Sequence, residues 1–239
     1  MKQWYLLCVC FCGLYLLFPT QNSTLDAWAY AGDIRHGNEL FHPHHLLFSA
    51  TSRLFYPDEP LTVDVLARQK VIHACLAAAC LGILGLMLRQ LTVDAKHITG
   101  YLLIVGSSFG LMRFATDNEV YLWPIFWSLA GTWAFLSYQA SPRRVLLLLS
   151  GLFMALACLF HQIHAIWWLT LVIAFFVQNQ KNTLYYILPA LLIPCAYVPV
   201  LTEYVGLPLT WDNLLHFTLR DFYRGTAEAI PGYQALILT

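Results

Sequence analysis

Charge is scarce in this chain. Thirteen Lys and Arg and thirteen Asp and Glu make up 11% of 239 residues, hydrophobic residues make up 59%, and the formal net charge is zero. With so few charges and long uncharged runs, the composition is that of an integral membrane protein, and no stretch reads as a separate soluble domain. No block of Lys or Arg exists, which excludes nucleic acid as a partner and leaves no polybasic patch for a membrane surface. A glycine-rich strand-turn-helix and a Walker loop are both missing, so no nucleotide-binding domain is encoded. The HExxH and paired Cys/His patterns of zinc sites are missing too. Internal repeats and low-complexity tracts are absent.

Cysteine is present but chemically quiet. All seven (Cys8, Cys10, Cys12, Cys75, Cys80, Cys158, Cys195) lie inside apolar runs, where thiols behave as small hydrophobes. Cys8, Cys10 and Cys12 alternate, and alternate helical positions point about 200° apart, so the three do not converge on one ion.

Apolar runs at 4–18, 71–88, 98–115, 121–138, 145–160, 163–177 and 184–201 predict an all-α, polytopic transmembrane bundle of about seven spans. Phe18-Pro19-Thr20-Gln21 lacks a small-x-small cleavage pattern, so 1–19 is read as a retained first span. The whole chain, 1–239, is read as one transmembrane domain: 20–70 as a large outer loop, 71–201 as spans two to seven, and 202–239 as an outer segment. Lys2, Arg89 with Lys96, Arg143 with Arg144, and Lys181 fall on alternate connections, which assigns those connections and the N-terminus to the cytoplasm. The acids then face outside, all except Asp94, and Trp123, Trp127, Trp167 and Trp168 lie toward the same face. As one helix, 145–177 would be about 50 Å long, too long for a hydrocarbon core of about 30 Å, so a hairpin at His161-Gln162-Ile163-His164 is expected. Pro189, Pro194 and Pro199 make the seventh span irregular. The apolar ending Gln234 to Thr239 reads as a further span cut short, in a chain that is a fragment.

The loop 20–70 carries the most unusual stretch, LDAWAYAGDIRHGNELFHPHHLLF over 25–48. Trp28, Tyr30, Leu46, Leu47, Phe48, Leu54 and Phe55 are spaced for short helices lying in the interface. Ser23 or Thr24 starts one, Pro43 opens another, and Pro57-Asp58-Glu59-Pro60 turns the chain toward the second span. Trp211 to Tyr223 repeats this kind of element after the seventh span. On a helix from Ser23, Asp26, Tyr30 and Asp33 share a face at i, i+4 and i+7, two carboxylates and a phenol that could hold a general base. Ser23-x-x-Asp26 also approximates a capping box, as does Thr116-x-x-Glu119. Arg113 stands one turn before Asp117, and with Glu119 this set suits a divalent ion or a phosphate. His42, His44, His45, His161 and His164 gather on the same predicted side and could ligate a metal, move protons or contact phosphate. Arg220 and Arg224 are either solvated or point into the same cavity.

Leu25-Asp26-Ala27-Trp28-Ala29-Tyr30 and Asp117-Asn118-Glu119-Val120-Tyr121 resemble the positions of two acids in the GT-C superfamily of polytopic glycosyltransferases, which use polyprenyl-phosphate-linked sugars; the first acid follows span one and the second sits in a short outer loop. Phe41-His-Pro-His-His-Leu-Leu-Phe48 looks like a segment of bacterial members of that class. The resemblance implies hexosyl or pentosyl transfer on the outer face of a bacterial plasma membrane, from a lipid-linked donor to an acceptor glycan, lipid or protein. It implies that Asp26 is the base, that Asp33 or the Asp117/Glu119 pair steers the acceptor or a divalent ion, and that Arg113 with His161 or His164 stabilises the leaving phosphate. Tyr30, His44 and His45 would complete the substrate-binding set, and Asp117, Glu119 and His161 are the candidate metal ligands. A transporter or metal permease working through the histidines is the alternative, although no Asp or Glu falls mid-span, where such proteins usually place ionisable groups.

Overall fold

The computed structural model describes residues 3–56, 64–91, 93–178 and 182–219, and among them the only regular secondary structure is helix. Lys2, the 57–60 turn, Lys181, Arg220, Tyr223, Arg224 and the 234–239 ending lie outside the described residues. The chain forms two compact units, Met1–Ile193 and Pro194–Thr239.

In the first unit, α4 (Val65–Gln90) is the central helix and packs against α1 (Gln3–Leu17), α2 (Leu25–His36), α5 (Ala95–Gly106), α6 (Phe109–Thr116) and α7 (Leu122–Ala140). The Trp4 ring lies on Gly85, where any side chain would collide with it, and Lys70 Nζ donates to Thr20 O at 2.7 Å. These two contacts, at opposite ends of α4, make α1 and α4 antiparallel. Gln90 Nε2 donates to Ser137 Oγ at 2.7 Å, so α7 runs parallel to α4. Helix α8 (Arg144–Phe160) packs along α7, with Ser150 Oγ donating to Gly131 O at 2.8 Å.

The expected hairpin is present. His161 is extended (φ −162°, ψ 120°), and after a 3-10 turn (Gln162–His164) α9 (Ala165–Val177) runs back alongside α8. Leu147 from the start of α8 and Phe175 from the end of α9 bury each other with Tyr138 and Tyr186. The 98–115 run is not one helix. It breaks at Ser107-Ser108 with a 64° bend between α5 and α6, where Ser107 Oγ and Ser108 Oγ donate to the Leu103 and Val105 carbonyls at 2.6 and 2.7 Å. Hydroxyls that bond back onto the helix compete with its ladder, and Gly-Ser sequences are common kink sites.

Val65–Gln90 and Thr183–Tyr204 are long and apolar enough to cross a membrane, and a third crossing results if the bent α5–α6 pair is one span. Trp4–Leu17, Arg144–Phe160 and Gln162–Val177 are apolar but shorter. The stretch from 183 onward is irregular as expected: α10 (Thr183–Ile187), a 3-10 turn at Leu188–Leu191, α11 (Leu192–Pro199) and a π turn at Val200–Tyr204. In the second unit, α12 (Trp211–Thr218) is capped by Thr210 Oγ1, which accepts from Asn213 N at 3.2 Å, and Phe217 meets Tyr197.

Candidate functional site

One end of the first unit carries Thr20, Thr24, Lys70, Asp117, Tyr121 and His161. The opposite end carries Gln90, Ser137 and Arg144, the last lying over the Tyr185 ring. The acids singled out in the sequence gather at the first end, built on α2 and the 117–121 connection.

Thr24, not Ser23, caps α2. Its backbone is extended (φ −65°, ψ 161°) and its Oγ1 accepts the Ala27 N–H at 3.0 Å. The helix ends on Gly37 in the left-handed region (φ 71°), and Arg53 Nη1 donates to the free carbonyls of Ile34 and Arg35, both at 3.1 Å. Ala27, Ala31 and Ile34 form the buried stripe. Asp26, Tyr30 and Asp33 form the adjacent one, with Asp26 exposed and the other two partly buried. Because Thr24 holds the cap, Asp26 is left without a hydrogen bond or ion pair among the described residues. The capping box read from Ser23 and Asp26 is therefore not formed.

Thr116-x-x-Glu119 is not a capping box either. Thr116 ends α6, where its Oγ1 donates to Met112 O at 2.8 Å, and α7 starts after Tyr121 with no side-chain cap. Glu119 turns instead toward α2 and accepts from Thr24 Oγ1 at 2.9 Å. Asp117 is fully buried. Its Oδ2 lies 2.9 Å from Arg113 Nη2 and accepts the Thr24 N–H at 3.3 Å, while its Oδ1 accepts the Asn118 N–H at 2.9 Å. Asn118 Nδ2 donates back to Ala27 O at 3.0 Å. Arg113 also donates to Asn22 O from both terminal nitrogens at 3.2 Å and to Thr20 Oγ1 at 3.4 Å. Its guanidinium is thus engaged with protein acceptors, and Arg113 with Asp117 ties the connection to the segment before α2.

Beyond Tyr30 lies an aromatic and imidazole cluster. His42 Nε2 and Asp33 Oδ2 are 3.0 Å apart. The Tyr30 ring stands edge-on to His42, His45 and Phe48, at centroid distances of 5.8, 5.1 and 5.3 Å. His45 neighbours His42 at 5.0 Å, His44 at 6.1 Å and His161 at 6.4 Å, and His161 stacks on Tyr121 at 5.5 Å. The 3-10 turn Pro43–His45 that presents these rings begins on Pro43, as expected, and Gln162 Nε2 ties it to the α8–α9 turn through Pro43 O at 2.9 Å. His164 does not join the cluster: its Nδ1 pairs with Ser128 Oγ at 2.5 Å, in an apolar groove of about 460 Å³ that Trp167 also lines.

Burial, with smaller contributions from the neighbouring imidazoles, pushes His45 down to about 3. Burial and His44 also lower His161. Such rings are neutral at pH 7 and would meet a phosphate as N–H donors, not as cations. Burial raises Glu119, and the nearby Asp117 and Asp26 add to the shift against the Thr24 hydrogen bond. Burial likewise raises Tyr30, with smaller contributions from the carboxylates of Asp26, Glu119 and Asp33. Among the described residues no three His, Cys, Asp or Glu side chains converge as metal ligands, and Asp117, Glu119 and His161 do not form such a group. Thr24, Asn118 and Thr20 were not foreseen as site residues. Their contacts span more than 90 residues of chain, and no local pattern announces them.

No family model, curated protein or solved structure matches this chain.

Proposed function

We propose that this protein is a membrane glycosyltransferase that moves a sugar from a polyprenyl-phosphate carrier to a hydroxyl acceptor, working at the acid-bearing end of its helical bundle. The observation that carries the reading is the exposed carboxylate of Asp26, released from capping by Thr24, on the first turn of a helix that Thr24 and Asn118 fasten to the connection carrying Glu119 and the buried Asp117 carboxylate. In this reading Asp26 takes the proton of the acceptor hydroxyl as the sugar is attacked, and Glu119 orients that hydroxyl. The bond from sugar to phosphate breaks in the same displacement, with inversion at the sugar. N–H groups of the histidine cluster receive the charge that grows on the departing phosphate. Arg113 supports the loop.

The reading includes a bundle of seven crossings with the N-terminus in the cytoplasm. Alternating helix directions and the position of Arg144 opposite the acids support it. Two experiments test it. Membranes holding the protein, given a radiolabelled sugar on a polyprenyl phosphate, should transfer label to an endogenous acceptor; membranes without it should not. Single cysteines placed in a background free of native cysteine should be labelled from outside at Gln162 and from inside only at Arg144.

A further inference from the structure

Thr24 uses every polar group it has at the junction between α2 and the 117–119 connection. A hydroxyl has one proton to give, and a carboxylate can only accept, so Thr24 Oγ1 donates to Glu119 Oε1 at 2.9 Å while accepting the Ala27 N–H at 3.0 Å. Its backbone N–H goes to Asp117 Oδ2 at 3.3 Å. An N-cap needs only the Ala27 bond. The other two fasten the first turn of α2 to both acids of the connection, and Asn118 Nδ2 closes the junction from the other side on Ala27 O at 3.0 Å. Asp26 lies on the chain between the two fastened residues.

We propose that Thr24 is a positioning residue, whose hydroxyl sets the Glu119 carboxylate against the first turn of α2 and so fixes the spacing of Glu119 from Asp26. The proposal rests on the glycosyltransferase reading for its effect on rate, though not for its geometry. Misplacing reacting groups by about 1 Å can cost about 10²-fold in rate, and one hydrogen bond holds this carboxylate to α2.

Glycine and threonine are similar as N-caps, and serine is somewhat better, so Thr24→Gly and Thr24→Ser separate capping from positioning. Assayed in the full chain at a temperature where wild type and variant are both folded, Thr24→Gly should lose about 10²-fold in kcat with the donor KM unchanged. Thr24→Ser, which restores the donor, should restore kcat. A second readout does not depend on turnover. The Thr24 N–H and Asn118 contacts survive in Thr24→Gly, so this readout follows the carboxylate itself: Thr24→Gly and Glu119→Met should shift the thermal midpoint non-additively, while Thr24→Ser leaves it near wild type. A wild-type kcat in Thr24→Gly, or additive shifts in the double variant, overturns the proposal. If wild type itself transfers no sugar, the functional reading fails and the midpoint shifts alone decide whether the Thr24 hydroxyl holds Glu119.

Discussion

Arg113 Nη2 lies 2.9 Å from Asp117 Oδ2 across one turn at the end of α6, and the carboxylate it meets is wholly shielded from solvent. Breaking a buried pair by removing one partner costs about 3–5 kcal/mol, whereas replacing both can be neutral; Asp117 keeps the Thr24 and Asn118 N–H donors, which puts the loss at the low end. Arg113→Met should therefore lower stability by about 3 kcal/mol, and adding Asp117→Asn should recover much of the loss. Thermal unfolding of the two single variants and the double variant in detergent measures the coupling. Additive losses would mean that the pair does not act as a unit.

Much of the fold follows from local pattern, and the departures have identifiable causes. The length of 145–177 required a turn, and its polar centre at His161 to His164 located it. The prolines at 189, 194 and 199 announced an irregular helix. Pro43 announced the start of a 3-10 turn. Arg113 and Asp117, four residues apart, could be paired from spacing alone. By contrast, the break at Ser107-Ser108 was hidden by the surrounding apolar residues, although Gly106-Ser107-Ser108 carried the signal. The capping roles of Ser23 and Thr116 failed for a different reason. Whether an acid caps its own helix depends on what else it can reach, and Glu119 reaches a hydroxyl 95 residues away.

The packing of α8 against α10 makes a sharp prediction at Gly151. A Cβ there would collide with the backbone carbonyl of Tyr186, and beside it with the Pro189 ring. A carbonyl cannot step aside as a side chain can, so Gly151→Ala should destabilise by about 1–3 kcal/mol through overpacking. At Gly13 on α1, where nothing lies within 4 Å of an added Cβ, the same change should instead stabilise by about 0.5–1 kcal/mol. Thermal midpoints of the two variants should move in opposite directions; a shared direction would refute the close approach.

The histidine cluster ties stability to pH. His45 is 7% exposed and holds a pKa near 3, below its unfolded value of about 6.5. The unfolded chain therefore binds a proton first on acidification. Stability is complete above about pH 6.5 and falls as pH drops toward 3, by up to about 1.4 kcal/mol per pH unit for this one group. His45→Phe, among Tyr30 and Phe48, should flatten the loss of thermal midpoint between pH 7 and pH 5. An equal slope in the variant would show that burial of His45 does not control it.

Asp26 decides the account. Thr24 holds the N-cap of α2, so Asp26→Asn should leave the thermal midpoint and expression unchanged, and asparagine keeps most of the side chain's shape. Loss of a general base lowers rate by about 10²–10⁴-fold. The measurement is transfer of sugar from a polyprenyl phosphate by membranes holding equal amounts of wild-type and Asp26→Asn protein. The account predicts that transfer falls to near background in the variant, and a wild-type rate from Asp26→Asn would contradict it.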